Sequence, residues 1–221
     1  MLRAAQLDPL NPVSRRDSKK DRAHPLHEPS QPIRDLRLSD LLVGQLEAVL
    51  DWLNVEQSER YLPEGKETHC DIYAADVAYL AQVYLPRVWW CPPALQQLEL
   101  GKDVREVLGV TVIEANANEL HEWLGEHGPF FGWHRSSSFD EVQDRANQGF
   151  VGLVTALRKD RSRPGHIVVV VPETSGCPAR RDEGHVIAPV YSQSGEQNFR
   201  RGHESFWKED AYSEFASWWH P

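Results

Sequence analysis

The chain has 221 residues, 40% of them hydrophobic and eight of them tryptophan, which suits one globular domain rather than a disordered chain. Its formal net charge of −9 argues against a nucleic-acid partner, because such proteins need a basic face to replace the counterions of the phosphates. The three cysteines, Cys70, Cys91 and Cys177, are too few for a disulfide framework and form no CxxC pair of the kind that holds zinc.

The first 34 residues differ in composition from the rest of the chain. They contain five of the 15 prolines, mixed charge and no apolar periodicity, so we predict a flexible N-terminal tail over 1–34. They lack the apolar core of a signal peptide, and no run reaches the roughly 20 apolar residues that span a bilayer. We therefore expect a single domain over 35–221, no membrane span, and synthesis in the cytoplasm with possible export to the periplasm or cell wall.

Helical patterns dominate the first part of this domain. Ser39 is expected to cap a helix that runs to about Asn54, with leucines and Val49 on one face. A second helix is expected from Asp71 until Pro86 stops it. Further helices are predicted over 94–108, 117–127 and 139–149, with a short strand at 110–114.

Strand patterns follow. Three β-branched, apolar segments, bounded by glycine, proline and charge, are predicted as strands at 150–157, 166–172 and 185–192. The aromatic C-terminal stretch is expected to pack back on the core. Helices that precede strands predict the α+β class, with N-terminal helices packed on a small antiparallel sheet.

One arrangement of residues indicates nucleophilic catalysis. Cys70 lies where a loop meets a predicted helix, and a helix N-terminus stabilises a thiolate. His166 opens a predicted strand and is the candidate base. Gln193, at the end of the next strand, is the candidate group that orients the imidazole, with His185 and Ser192 as alternatives. Cys70 as a buried structural thiol is the simpler interpretation of the same residue.

Three segments carry a resemblance to known enzymes: THCDIYAADVAYL (68–80), PGHIVVVVPE (164–173) and PVYSQSG (189–195). They resemble the papain-like peptidoglycan hydrolases of the CHAP and NlpC-type families. The resemblance implies a papain-like fold and a cysteine amidase or endopeptidase that cleaves peptidoglycan amides through an acyl-enzyme, without a cofactor. Asp71 stands where CHAP-like domains commonly have asparagine, and Gln193 where they often have glutamate. The long interval from Cys70 to His166 makes 86–150 an insertion or a variant helical layer.

The same interpretation suggests residues around the reacting groups. The backbone N–H of Asp71 or Cys70 is expected to bind the oxyanion. Trp133 is expected to line a cleft, and Asn118 either to contact substrate or, with Asn116, to cap a helix. No metal is expected, since His121 and His127 are six residues apart on one predicted helix.

Two alternatives to hydrolysis by cysteine remain open. The chain could be a catalytically degenerate papain-like module that binds a cell-wall peptide or a partner protein. It could also cleave wall carbohydrate, although no pair of carboxylates stands out in the sequence. As an exported antibacterial effector or lysis enzyme, the protein would have peptidoglycan peptide as substrate, and secretion machinery and an immunity protein as partners.

Overall fold

The computed structural model describes residues 2–221 as helices around one main sheet. The five α-helices are α1 Leu42–Leu53, α2 Cys70–Leu80, α3 Pro92–Glu99, α4 Ala117–Glu126 and α5 Phe139–Asn147. The ten strands are β1 Val88–Trp90, β2 Val112–Glu114, β3 His134–Arg135, β4 Val151–Arg158, β5 His166–Val170, β6 Arg180–Asp182, β7 His185–Ala188, β8 Tyr191–Gln193, β9 Phe199–Gly202 and β10 Tyr212–His220. Short 3₁₀ turns lie at Ser39–Leu41, Gly128–Phe131 and Phe206–Lys208.

Six strands form the main sheet in the order β3-β10-β4-β5-β8-β9, and all neighbours are antiparallel. The strands β4 and β5 at its centre are apolar on both faces and buried on both. One face packs against α1, α2 and α4, and the other against α5 and the Phe206–Lys208 turn. The predicted α+β class with an antiparallel sheet is therefore confirmed, with helices on both faces of the sheet.

Local conformation explains where helices end earlier than predicted. The helix predicted over 94–108 stops at Glu99, because Gly101 has a φ of 75° and Lys102 N–H donates to the carbonyl of Gln97. Helix α2 stops at Leu80, before Pro86, and Gln82 follows with a φ of 60°. Ser39 opens a 3₁₀ turn rather than capping α1 with its side chain.

The strand predicted over 185–192 is divided in two by Pro189. Strand β7 pairs with β6 in a separate ribbon, whereas β8 joins the main sheet beside β5. Proline has no N–H to donate, so a ladder cannot run through it unbroken. Asn116 caps α4 in a full capping box with Glu119, as predicted for this position.

The flexible tail predicted over 1–34 needs correction for its described part. Residues 2–34 contain no helix or strand, but they lie against the domain: Leu26 is fully buried, and Trp90 Nε1 donates to the carbonyl of Arg3 at 2.8 Å. Periodicity could not reveal this packing, because an extended segment contributes single side chains to a core that other elements build. We call residues 2–34 the N-terminal strap.

A buried ion pair ties the strap to α2. The guanidinium of Arg60 binds both carboxylate oxygens of Asp76, at 2.6 and 3.2 Å. It also donates to Ser14 Oγ and to the carbonyls of Arg22 and His24 in the strap. Both charges are buried, so each depends on the other to stay there. No helix within residues 2–221 has the length and apolar content needed to cross a membrane.

Candidate functional site

Cys70 is the first residue of α2, and its side chain is buried, with only 3% of the residue exposed. Burial raises the pKa of its thiol to about 12, and the negative charge of Asp71 adds to the rise. The backbone N–H groups of Ile167, Asp71 and Cys70 oppose part of that rise, because N–H dipoles near a sulfur favour its thiolate. The thiol is therefore protonated at neutral pH, although donors for a thiolate surround it.

His166 is the first residue of β5 and is held by Gln193 from β8. The imidazole Nε2 lies 2.8 Å from Gln193 Oε1, and Gln193 Nε2 donates to the carbonyl of Gln197 at 3.0 Å. The second bond fixes which end of the amide faces His166, so imidazole Nε2 is the donor and carries the proton. The other ring nitrogen, Nδ1, is left free to accept a proton. Burial lowers the pKa of His166, and the bond to Gln193 partly offsets this.

Cys70 and His166 lie near the same end of β5 but on opposite faces of the sheet. Cys70 lies in the same buried apolar cluster as Ile167, the residue that follows His166. Side chains alternate along a strand, so Ile167 faces α2, whereas His166 shares the opposite face with Val168. Within residues 2–221 the structure contains no hydrogen bond between Cys70 Sγ and the His166 ring.

The segment between β9 and β10 covers this end of the sheet. The ring of Phe206 stands edge-on to His166, with ring centroids 4.7 Å apart, and Phe206 itself is buried. Hydrogen bonds and aromatic contacts hold the segment down, including Tyr191 Oη to the carbonyl of Glu204. The segment therefore covers His166 on one face of the sheet, and Cys70, in the cluster on the other face, is also closed to solvent.

The alternative orienting groups lie elsewhere. Ser192 faces α2, where its hydroxyl lies 2.7 Å from Tyr73 Oη. His185 is exposed on the β6–β7 ribbon, 3.3 Å from Asp140. Of the three candidates, Gln193 is the one that the structure brings to His166.

Asp71 lies beside Cys70, with its carboxylate held by Arg87 at 3.2 Å. The same guanidinium binds Glu114 and the carbonyls of Ala115 and Arg22. Arg87 therefore holds the Asp71 carboxylate, and the Asp71 N–H is one of the backbone groups that lower the pKa of the Cys70 thiol. The role of the Asp71 N–H as an oxyanion donor stays a prediction.

Two expected substrate contacts are parts of the framework instead. Trp133 is 2% exposed and donates from Nε1 to the carbonyl of Tyr84 at 2.8 Å, so it packs in the core and lines no cleft. Asn118 is 4% exposed and uses both ends of its amide on the β4–β5 turn, donating to Arg163 O and accepting from Arg158 N. Sequence patterns identify polar and aromatic residues but not whether other groups already occupy their polar atoms.

Three residues near the site were not predicted: Phe206, Tyr212 and Arg158. Arg158 pairs with Tyr212 across β4 and β10, next to the pair of Ala156 and His166 across β4 and β5. The pairing register of the strands could have indicated Arg158 and Tyr212, because residues at matching ends of neighbouring strands lie at the same edge of the sheet. No periodicity marks the segment of Phe206, which is a short 3₁₀ turn in a loop.

Residues 2–221 contain no group of three or more histidine, cysteine or acidic side chains placed to hold a metal ion. The buried His121 instead lies with Nδ1 2.8 Å from Thr155 Oγ1. No protein-family model and no curated protein matches the chain. Its function is therefore argued from the geometry of Cys70, His166 and Gln193.

Proposed function

We propose that the protein is a cysteine-dependent amidase or endopeptidase with a papain-like domain, which cleaves amide bonds of bacterial peptidoglycan. The observation that carries this proposal is the 2.8 Å bond from His166 to Gln193, at the end of β5 where the Cys70 sulfur also lies. Acyl transfer requires a nucleophile, a base that can reach it and a polar group that orients the base, and Cys70, His166 and Gln193 are the candidates for these roles.

The chemistry follows from the protonation states. With a protonated thiol and a neutral imidazole, His166 Nδ1 takes the proton as Cys70 Sγ bonds to the substrate carbonyl carbon. The oxyanion that forms accepts from the N–H of Asp71. The C–N bond then breaks, and the proton moves from His166 to the leaving amine. Water attacks the thioester with His166 as base, and the carboxylic acid product leaves while the thiol is restored.

These reaction steps require the closed site to open. Phe206 occupies the space over His166, and Cys70 has to reach Nδ1 from the other side of Ile167. We infer that substrate displaces the segment around Phe206 and brings the two side chains together. Catalytic hydrogen bonds are often long in the unliganded enzyme and tighten only with substrate.

Delivery is part of the proposal, because peptidoglycan lies outside the cytoplasm. We suggest export by a specialised secretion apparatus or release by a lysis system, with an immunity protein that restrains the enzyme. The expected sign is toxicity when the protein is directed to the bacterial periplasm, and loss of that toxicity on Cys70→Ala.

A second function is favoured by the closed state itself. The Cys70 thiol is buried, its pKa is raised, and it makes no bond to His166 in the described residues. A papain-like module that has lost catalysis and binds a wall peptide or a partner protein has no need of an exposed thiolate. Such a module would bind peptidoglycan without changing it.

Product analysis on isolated peptidoglycan separates these functions. Parent protein is expected to release new amino groups and no new reducing ends, and Cys70→Ala is expected to release neither. Cys177→Ala is the matched control, because Cys177 is a free thiol of the same chain on a separate loop. Equal release by Cys70→Ala and parent would rule out the thiol mechanism, and new reducing ends would indicate a carbohydrate-cleaving enzyme. Binding without any product would support the degenerate module.

A further inference from the structure

The end of β4 and the turn that leads to β5 carry four basic residues, and only two of them have acidic partners. Lys159 pairs with Asp210 and Arg161 pairs with Glu122. Arg158 and Arg163 have no carboxylate at ion-pair distance within residues 2–221. Most other arginines of this chain are paired, and its net charge is −9. Arg158 and Arg163 therefore carry positive charge without a carboxylate partner near the start of β5.

Arg158 lies on the same face of the sheet as His166. Ala156 is the cross-strand partner of His166, and Arg158 follows two residues later on β4. Since alternate residues of a strand share a face, the Arg158 side chain leaves the sheet on the side of the imidazole. Its own cross-strand partner is Tyr212 on β10.

The guanidinium of Arg158 is held in place but not satisfied. Its central carbon lies 4.9 Å from the ring centroid of Tyr212, within the range of a cation–π contact. Its Nε–H is buried and has no hydrogen-bond partner. A buried donor without an acceptor costs free energy, so an incoming acceptor gains more here than at an exposed arginine.

The backbone around both arginines is rigid. Asn118 accepts from Arg158 N at 3.0 Å and donates to Arg163 O at 2.8 Å. Gly165 completes the packing, because a Cβ at this position would lie 2.4 Å from the carbonyl of Ala156. One buried amide thus fixes both arginines relative to the first residue of β5, His166.

We propose that Arg158, assisted by Arg163, forms a subsite that binds a carboxylate of the substrate next to the amide that Cys70 attacks. A guanidinium fork matches the two oxygens of a carboxylate, which an amide of the same shape cannot replace. The inference rests on the proposed function, and it names the substrate class as peptides with a free carboxylate within one residue of the scissile bond.

The test uses two stem peptides that differ in one group. One is a wall stem peptide with a free α-carboxylate on its glutamyl residue, and the other carries a carboxamide there. Binding to Cys70→Ala protein is measured by calorimetry, and hydrolysis by parent protein is followed by release of amine. We expect the carboxylate peptide to bind about tenfold or more tightly than the carboxamide. Arg158→Gln in the same background is expected to abolish this preference.

The control variant is Arg161→Gln, which removes a basic residue of the same turn that is paired with Glu122. It is expected to keep the preference. Equal affinity of the two peptides for Cys70→Ala protein overturns the subsite, whether or not Arg158→Gln folds, because this comparison needs no arginine variant. If Arg158→Gln melts like the parent protein and still prefers the carboxylate peptide, the proposed subsite is overturned as well.

Hydrolysis separates the two proposals. Cleavage of both peptides at equal rates, abolished by Cys70→Ala, keeps the proposed function and overturns the subsite. A carboxylate preference in binding that depends on Arg158, with no cleavage of either peptide, keeps the subsite and overturns the hydrolase. A protein that neither binds nor cleaves the peptides overturns both.

Discussion

The imidazole of His166 is the single side chain whose state decides what the site can do. Burial lowers its pKa, and the hydrogen bond to Gln193 raises it in part. The ring is therefore neutral at pH 7, with Nδ1 available as a base. Protonation of Nδ1 in acid removes the base, so catalysis should fall as the pH drops through the pKa of His166.

Gln193 offers a direct test of that dependence. A Gln193→Glu change places a carboxylate on Nε2, which favours the imidazolium and raises the pKa of His166. The acidic limb of the kcat/KM profile is expected to move to higher pH. Gln193→Leu removes the bond that sets the tautomer and is expected to lower kcat/KM by about 100-fold or more. Peptide hydrolysis measured from pH 4 to pH 9 checks both.

His185→Ala is the control for these changes, because His185 was the other histidine considered and is exposed on a separate ribbon. It is expected to leave the profile as in the parent. If Gln193→Glu leaves the acidic limb where it was, Gln193 does not act through His166.

For single residues, the sequence indicated which candidate side chains could meet at the end of a strand, but not which groups surround each of them in the fold. The bond from His166 to Gln193 was expected, because a strand start and the end of the next strand can share a sheet rim. Trp133 was expected to line a cleft, and Asn118 to contact substrate or help cap a helix, but both are buried, with polar atoms that bind backbone groups far along the chain. Phe206 was missed because no pattern marks a residue that covers another.

At the scale of elements, the helices and strands with strong patterns were predicted closely. Helix α4 begins at its predicted cap, and β4 and β5 match the apolar runs within about two residues. The errors lie at helix ends, where Gly101 and Gln82 adopt left-handed conformations, and in two strand segments: Pro189 divides the strand predicted over 185–192, and the C-terminal stretch forms β10. Sequence patterns also could not place helices on both faces of the sheet, because the face on which a helix packs depends on contacts between elements that are distant in the chain.

Arg34 shows how one buried cation fixes two of these elements. Its Nε donates to the carbonyl of Ala81 beyond α2 at 2.9 Å, and its Nη1 donates to Gly149 beyond α5 at 2.7 Å. Burial lowers the pKa of Arg34 to about 10, so the side chain stays charged at pH 7. Its positive charge stabilises the partial negative charge at the C-terminal ends of α2 and α5.

Arg34→Met is expected to destabilise the protein by about 2–4 kcal/mol, because two buried carbonyls lose a charged donor. Urea unfolding followed by tryptophan fluorescence measures this change. The control is Arg37→Met, since Arg37 is exposed and pairs only with the neighbouring Asp35. It is expected to unfold at the same urea concentration as the parent. Equal midpoints for the two variants would contradict the role given to Arg34.

At the scale of the whole molecule, the N-terminal strap is part of the same folding unit as the site. Arg60 joins it to α2 through Asp76, and Arg87 joins it to Asp71 beside the thiol. The sequence could not reveal this, because the strap has mixed charge and no periodicity. The whole fold should therefore respond together to conditions that disturb its buried charged and titratable groups.

Acid is the condition for which the direction of that response can be derived. Burial lowers the pKa of His69, His121 and His166, so the folded protein keeps these rings neutral where the unfolded chain protonates them. Between pH 7 and 5 the unfolded state therefore binds more protons than the folded state. The free energy of unfolding decreases as the pH is lowered, by at most about 1.4 kcal/mol per pH unit for each ring. Carboxylates with lowered pKa, such as Glu173 at about 2, act in the same direction but in stronger acid. Urea titrations at fixed ionic strength should show this loss, and His121→Gln should reduce its slope. A free energy of unfolding that stays constant or rises from pH 7 to pH 5 would show that these histidines are not buried as neutral rings.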